Sequence, residues 1–190
     1  MSEDADMMDL LTMHKYFLQA HLHPGSHACD FTMGNGHDTL WLANAVGNTG
    51  HVDAFDIQPE AVAHTKARLA AADVLDRCRL ICDSHAHVCD YVKEPFDAGV
   101  FNLGWLPGSD KTITTCREST LPAVQNALSL VAPGGILLVA VYPGHSEGAA
   151  EGEALFSYFS AISRFSFSIS RLQIVNAPDA PYFFAAERKS

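Results

Sequence analysis

The chain has 190 residues, 48% of them apolar, enough for one well-buried core and too short for two comfortable domains, so residues 1–190 are expected to form a single domain. A formal net charge of −10 excludes a protein that coats nucleic acid through a broad basic surface, while leaving room for an enzyme that holds one nucleotide against a local basic patch. The longest apolar run, residues 136–142, is far below a membrane span, and Glu3, Asp4, Asp6 and Asp9 precede the first cation, Lys15, which is not a secretory pattern; a cytoplasmic protein is expected.

After an N-terminal helical extension over residues 1–27, strand and helix alternate. Residues 28–32 read as a buried first strand and 38–46 as a helix, closed by the G-N-T-G turn at 47–50. Residues 51–56 form the second strand. Pro59 opens a helix to about Ala72, because proline is at ease in a first helical turn. A third strand at 79–82, a short helix at about 86–92 and a fourth strand at 98–101 follow. A helix at 121–130 ends at the A-P-G-G of 132–135, which leads into a fifth strand at 136–142. A helix near 150–162 precedes two alternating runs, 165–174 and 182–187, read as an antiparallel pair at one sheet edge. The expected fold is therefore α/β: a Rossmann-like, seven-stranded and mostly parallel sheet, helices on both faces, closed by a C-terminal antiparallel hairpin.

Five cysteines without a C-x-x-C pair read as free thiols. His21 with His23, and His85 with His87, lack third and fourth partners at zinc spacing, so no metal is expected.

The segment D-F-T-M-G-N-G-H-D, from Asp30 to Asp38, follows a strand and opens a helix, where a doubly wound sheet binds its ligand. Gly34 and Gly36 permit a sharp turn and close approach, and helix-start N–H groups face the ligand. The third glycine of a dinucleotide fingerprint is missing. Asp56, 20 residues after Gly36, ends the second strand, where a carboxylate can accept hydrogen bonds from ribose hydroxyls, with Gln58 just beyond. Asp83 or Ser84 can bond an adenine amino group, with His85 over its edge.

F-N-L-G-W-L-P-G at 101–108 follows the fourth strand. Asn102 is expected to project toward a methyl donor, its oxygen accepting from the acceptor nitrogen, and Trp105 to offer a flat face to a base, similar to the N-P-P-Y loop of amino-group methyltransferases. Lys111, Thr112, Thr114 and Arg117 suit a phosphate-bearing acceptor. Tyr142 and His145 are expected at the same rim, His145 as a candidate proton acceptor.

These motifs, T-M-G-N-G-H-D-T, F-D-I-Q, S-H, F-N-L-G-W-L-P-G-S-D-K-T-I-T-T, V-Y-P-G-H-S-E-G and N-A-P-D-A-P-Y, give the chain a close resemblance to the YtqB-like family labelled rRNA methylase, whose characterised members are the tRNA 5-aminomethyl-2-thiouridine methyltransferases called MnmM. The resemblance implies S-adenosylmethionine as cofactor, held by Asn35, His37, Asp56, Gln58, Ser84 and His85, and methylation of the exocyclic amine of 5-aminomethyl-uridine at the tRNA wobble position, in a homodimer. Trp105 stands where many relatives have Tyr, and Pro143 where His is expected. The alternatives are an rRNA or small-molecule amine acceptor, a nicotinamide-dependent oxidoreductase and a cofactor-binding subunit without catalysis. The missing third glycine and the closing hairpin count against the second; the intact 102–115 loop counts against the third.

Overall fold

The computed structural model describes residues 10–104, 115–144, 146–177 and 179–190. The strands are β1 (His27–Asp30), β2 (His51–Asp56), β3 (Cys78–Cys82), β4 (Phe96–Asn102), β5 (Val131–Val141), β6 (Phe167–Leu172) and β7 (Tyr182–Arg188). The helices are α1 (Leu10–Gln19), α2 (His37–Val46), α3 (Pro59–Ala71), α4 (Val88–Tyr91), α5 (Arg117–Leu130) and α6 (Ser146–Ala161).

All seven strands form one sheet in the order β3-β2-β1-β4-β5-β7-β6. The pairs from β3 to β5 are parallel; β7 runs antiparallel to both β5 and β6. From β1 the chain winds outward through β2 and β3, then returns to build β4 and β5 on the other flank. Right-handed crossovers running in opposite directions place their helices on opposite faces and leave a crevice where the order reverses, between β1 and β4. The carboxyl ends of β1, β2, β3 and β4 (Asp30, Asp56, Cys82 and Asn102) therefore share one edge of the sheet.

That edge stands on aromatic rings. Phe31 stacks on Phe101 at 4.3 Å and 10° and on Phe55 at 5.9 Å and 15°, and all three are fully buried. Burial of each contributes about 1.5–3 kcal/mol. Gly99 in β4 makes this row possible, because a Cβ there would lie 2.7 Å from the Phe96 ring and 3.0 Å from Phe31.

Several boundaries differ from those expected, among them the start of α6, at Ser146 instead of about Ala150. The A-P-G-G lies within β5: Val131 pairs with Phe96 and Ile136 with Ala98, so residues 132–135 bulge out of the ladder, with Gly134 at φ 79°. Helix α5 begins four residues earlier than expected, at Arg117 instead of Leu121. Pro122 there removes one backbone bond, but Thr120, Ala123, Val124, Ala127 and Leu128 are buried, and tertiary packing holds the turn.

Candidate active site

The β1–α2 loop is held from beneath by Asp30. This carboxyl is fully buried; its Oδ1 accepts the Thr32 N–H (3.1 Å) and its Oδ2 the Thr39 hydroxyl (2.6 Å). Asp30 thus shapes the loop from inside the fold. Burial and the nearby Asp38 charge push it up to about 7. The folded chain therefore retains a proton that an unfolded chain has already lost between about pH 4 and 7, so on this group's account stability falls as pH rises through that window and is level above it. In Asp30→Asn, urea titrations at a series of pH values should show this decline flattened by on the order of 2–4 kcal/mol. An unchanged slope would contradict the assignment.

Gly36 caps α2 at φ 77°, and a Cβ there would lie 2.9 Å from the Thr65 Cα, so α3 packs directly against the loop. The Thr65 hydroxyl donates to the Gly34 carbonyl (3.0 Å), and Arg68 Nε to the Asn35 carbonyl (2.7 Å). The Gly34 N–H donates to Asp56 Oδ2 (3.0 Å) and the Gln58 N–H to Asp56 Oδ1 (2.9 Å). Burial raises the Asp56 carboxyl despite these donors. With the Ile57 N–H also drawn to it, the carboxylate keeps lone-pair capacity for a ligand hydroxyl.

Phe31, Thr32, Asp56, Ile57, Gln58, Asp83, Ser84, His85, Gly104, Thr115 and Ser119 line a cleft at this edge. His85 Nδ1 donates to the Phe31 carbonyl (3.1 Å), which leaves Nε2 as the acceptor, enclosed and without a partner among the described residues. Burial lowers its pKa, so the ring is neutral near pH 7. Asp83 accepts from the Tyr91 hydroxyl (2.7 Å), the Ser84 N–H (2.7 Å) and His87, which hold its carboxyl below the usual range. Ser84 Oγ accepts the Ala86 N–H. The cleft offers a carboxylate for vicinal hydroxyls at Asp56 and an unsatisfied neutral acceptor for an amino group at His85, which fits an adenosyl group.

A second polar corner lies at the end of β4. The Asn102 N–H donates to Thr32 Oγ1 (2.7 Å) and its Nδ2 to Asp38 Oδ2 (2.8 Å). A carboxylate only accepts, so Asp38 fixes which way the amide faces and leaves Asn102 Oδ1 enclosed with no partner among the described residues. Asp38 Oδ1 lies 3.6 Å from His14 Nε2 and 3.9 Å from Lys15 Nζ, both on α1. Burial alone would raise the Asp38 carboxyl, but His14, the Asn102 amide and Lys15 outweigh it and hold it below its usual value. Half-buried Tyr142 has its phenol raised by burial and by the charge of Asp38, so it belongs to the same corner.

Asp56, Gln58, Asp83, Ser84 and His85 are thus brought to one cleft, and Asp38, Asn102 and Tyr142 to the neighbouring corner. Asn35 and His37 are set apart: they line a separate groove with Leu40, His64 and Arg68, and the exposed His37 ring contacts Arg68 at 3.2 Å. The left-handed turn at Gly36 separates the two sides of the loop. Arg117, the first residue of α5, is exposed beside Glu118. Trp105, Lys111, Thr112, Thr114 and His145 lie outside the described residues. The sequence reading missed Thr32 and Thr39, though both stand inside the singled-out motif, and His14, Thr65 and Arg68, which carry no signal in the sequence beyond their residue type.

A wider groove opens at the opposite edge, where the strands begin. There His27 stacks on His51 at 3.9 Å, and His27, Cys29 and Asp53 place metal-ligating atoms within 4.8 Å of one another. Both Asp53 oxygens are engaged, however, by His27 Nε2 (3.0 Å) and Arg79 Nε (2.7 Å), and burial pushes the Cys29 thiol well up. The cluster is a closed ion pair.

A parallel sheet with its crevice between β1 and β4 and an antiparallel β7 inserted between β5 and β6 defines the Rossmann-like class I methyltransferase fold. Residues 52–187 match the family described as "Putative rRNA methylase", and the chain belongs to it. A Clostridium thermocellum protein whose crystal structure bears the same description is 34% identical, with 95% of this chain and 97% of that one covered at a TM-score of 0.92. SMU.1697c of Streptococcus mutans, a candidate methyltransferase solved in complex with SAH, is 30% identical, with 95% and 98% covered and a TM-score of 0.86. The chloroplastic tRNA (mnm(5)s(2)U34)-methyltransferase of Arabidopsis thaliana is 34% identical over 167 residues, 83% of this chain; the chain spans 61% of that protein's length.

Proposed function

We propose that this chain is an S-adenosylmethionine-dependent N-methyltransferase acting on the exocyclic amine of 5-aminomethyl-(2-thio)uridine at the tRNA wobble position. The observation that carries the reading is Asn102: its amide nitrogen is tied to Asp38, and its oxygen is an enclosed acceptor without a donor among the described residues. An amine N–H supplies that donor. The Arabidopsis relative supports the tRNA acceptor.

Asp56, Gln58 and His85 would hold the ribose and adenine of the cofactor, with Asp83 and Ser84 beside them. When bound, the cofactor supplies an electrophilic methyl group on a good leaving group, so the protein has to position and desolvate the reactants. Asn102 Oδ1 accepts one N–H of the neutral amine and turns the nitrogen lone pair away from itself, toward the donor cleft. The anionic Asp38 keeps the amide in that orientation and attracts a cationic amine to the corner, and the ammonium proton passes to water or to His145 before the nitrogen attacks. Tyr142 closes one side against water.

Trp105 against the base, His145 at the rim, and Lys111, Thr112, Thr114 and Arg117 toward phosphate complete the proposed acceptor site. The reading includes a cytoplasmic setting and a homodimer, for which Phe165 and Val175, exposed beside edge strand β6, offer apolar surface. Among the described residues no helix is long and apolar enough to cross a membrane.

The test is mass spectrometry of nucleosides after incubating the protein and labelled S-adenosylmethionine with tRNA bearing 5-aminomethyl-2-thiouridine. A labelled methyl group on that nucleoside is expected. Label on other nucleosides alone, or none, would remove the tRNA assignment.

A further inference from the structure

Glu151 lies on α6, outside the cofactor cleft and away from Asn102, and is 1% exposed. Its Oε1 accepts the Thr120 hydroxyl (2.5 Å) and its Oε2 the Thr115 hydroxyl (3.1 Å). Thr115 Oγ1 in turn accepts the Gly104 N–H (2.8 Å), and the Thr115 N–H donates to the Gly104 carbonyl (3.0 Å). Two residues 11 apart are thereby clamped by reciprocal bonds, and both line the cleft that holds His85.

The direction of these bonds assigns the carboxylate its part. Thr115 has one hydroxyl proton; by giving it to Glu151 it must turn a lone pair to the Gly104 N–H. The relay from N–H to hydroxyl to carboxylate polarises along its length. Gly104 sits at φ 136°, a left-handed conformation that needs holding, and a Cβ there would meet none of the described residues within 4 Å. On the other side α6 is seated tightly, because a Cβ at Gly152 would collide with the Tyr182 hydroxyl on β7. The depth of Glu151 is therefore set by the sheet.

We infer that Glu151 is a positioning residue: it orients the Thr115 hydroxyl and so pins Gly104 to Thr115 at the two ends of residues 105–114, the segment expected to meet the acceptor. The functional part of this inference rests on the proposed amine transfer; the clamp itself does not. Glu151 therefore couples the far helix of the sheet to the wall between donor cleft and acceptor.

Amide hydrogen exchange on the full chain reads the clamp without any substrate. In Glu151→Ala the Gly104 and Thr115 amides should exchange at least about ten-fold faster while β1 and β2 keep their protection. Thr115→Val, which keeps the shape and removes the relay, should do the same at Gly104. In turnover assays Glu151→Ala should lower kcat by about ten-fold with SAH affinity within about three-fold, and Glu151→Gln, which retains an acceptor, should recover most of the rate. Unchanged exchange at both amides, acceleration spread evenly over the sheet, or a Gln variant as impaired as Ala would each overturn the inference. If the unaltered protein methylates no amine, the proposed function falls, while the exchange result still decides the clamp.

Discussion

Asn102→Ala is expected to slow methyl transfer by about 10²-fold at saturating acceptor while SAH affinity stays within about two-fold. The oxygen removed has no partner among the described residues, so the folded chain loses only the Nδ2 bond to Asp38. The backbone of Asn102 stays anchored, because its N–H bonds to Thr32 and not to its own side chain. What disappears is the acceptor that aims the amine. Asp38→Ala should give a smaller loss, since the amide would then be free to turn its NH₂ toward the substrate in part of the population. The double variant should be little worse than Asn102→Ala alone, because the two residues act through one atom. Single-turnover rates measure this. A normal rate in Asn102→Ala would reduce the residue to a turn former, and additive losses would show that Asp38 acts separately.

Asp56→Ala is expected to weaken SAH binding by about 1.5–3 kcal/mol, roughly 10–150-fold, by calorimetry. Two effects add there. The variant removes the acceptor for ribose hydroxyls, and it releases the Gly34 and Gln58 N–H groups, so the loop that approaches the cofactor loses its tether to β2. Asp56→Asn should fall between, because an amide can accept one of those N–H groups and must present its own NH₂ to the other. Burial raises the Asp56 carboxyl, so binding should weaken as pH falls, at a higher pH than an ordinary aspartate would give. Equal affinity in Asp56→Ala would place the ribose elsewhere.

Much of the site was legible because the chemistry of a parallel sheet sits at strand ends, and strand ends can be read. The residues expected for β2, 51–56, are those observed, so Asp56 came out at the carboxyl edge where a ribose contact belongs. Asp83, Ser84 and His85 follow β3 for the same reason. Asp30 shows the limit of this reading. Its place at the end of β1 marks it as polar and special, yet whether a strand-end carboxylate faces the cleft or the interior depends on what packs beneath it, and here Thr39 meets it from inside. The A-P-G-G motif fails likewise: proline and glycine announce a break, but a strand can carry the break as a bulge and resume its pairing.

By itself, the sequence determined the alternation of strand and helix, the antiparallel pair at the end, and the polar groups delivered to the edge at Asp56, His85 and Asn102. These depend on local periodicity and on neighbours a few residues apart. The tertiary structure alone decided that Asn35 and His37 line a different groove, that Asp38 locks the Asn102 amide, and that Glu151 reaches back to Thr115. Hydrogen bonds between groups 36 or 64 residues apart leave no period in a sequence, because their geometry exists only after the helices have docked on the sheet.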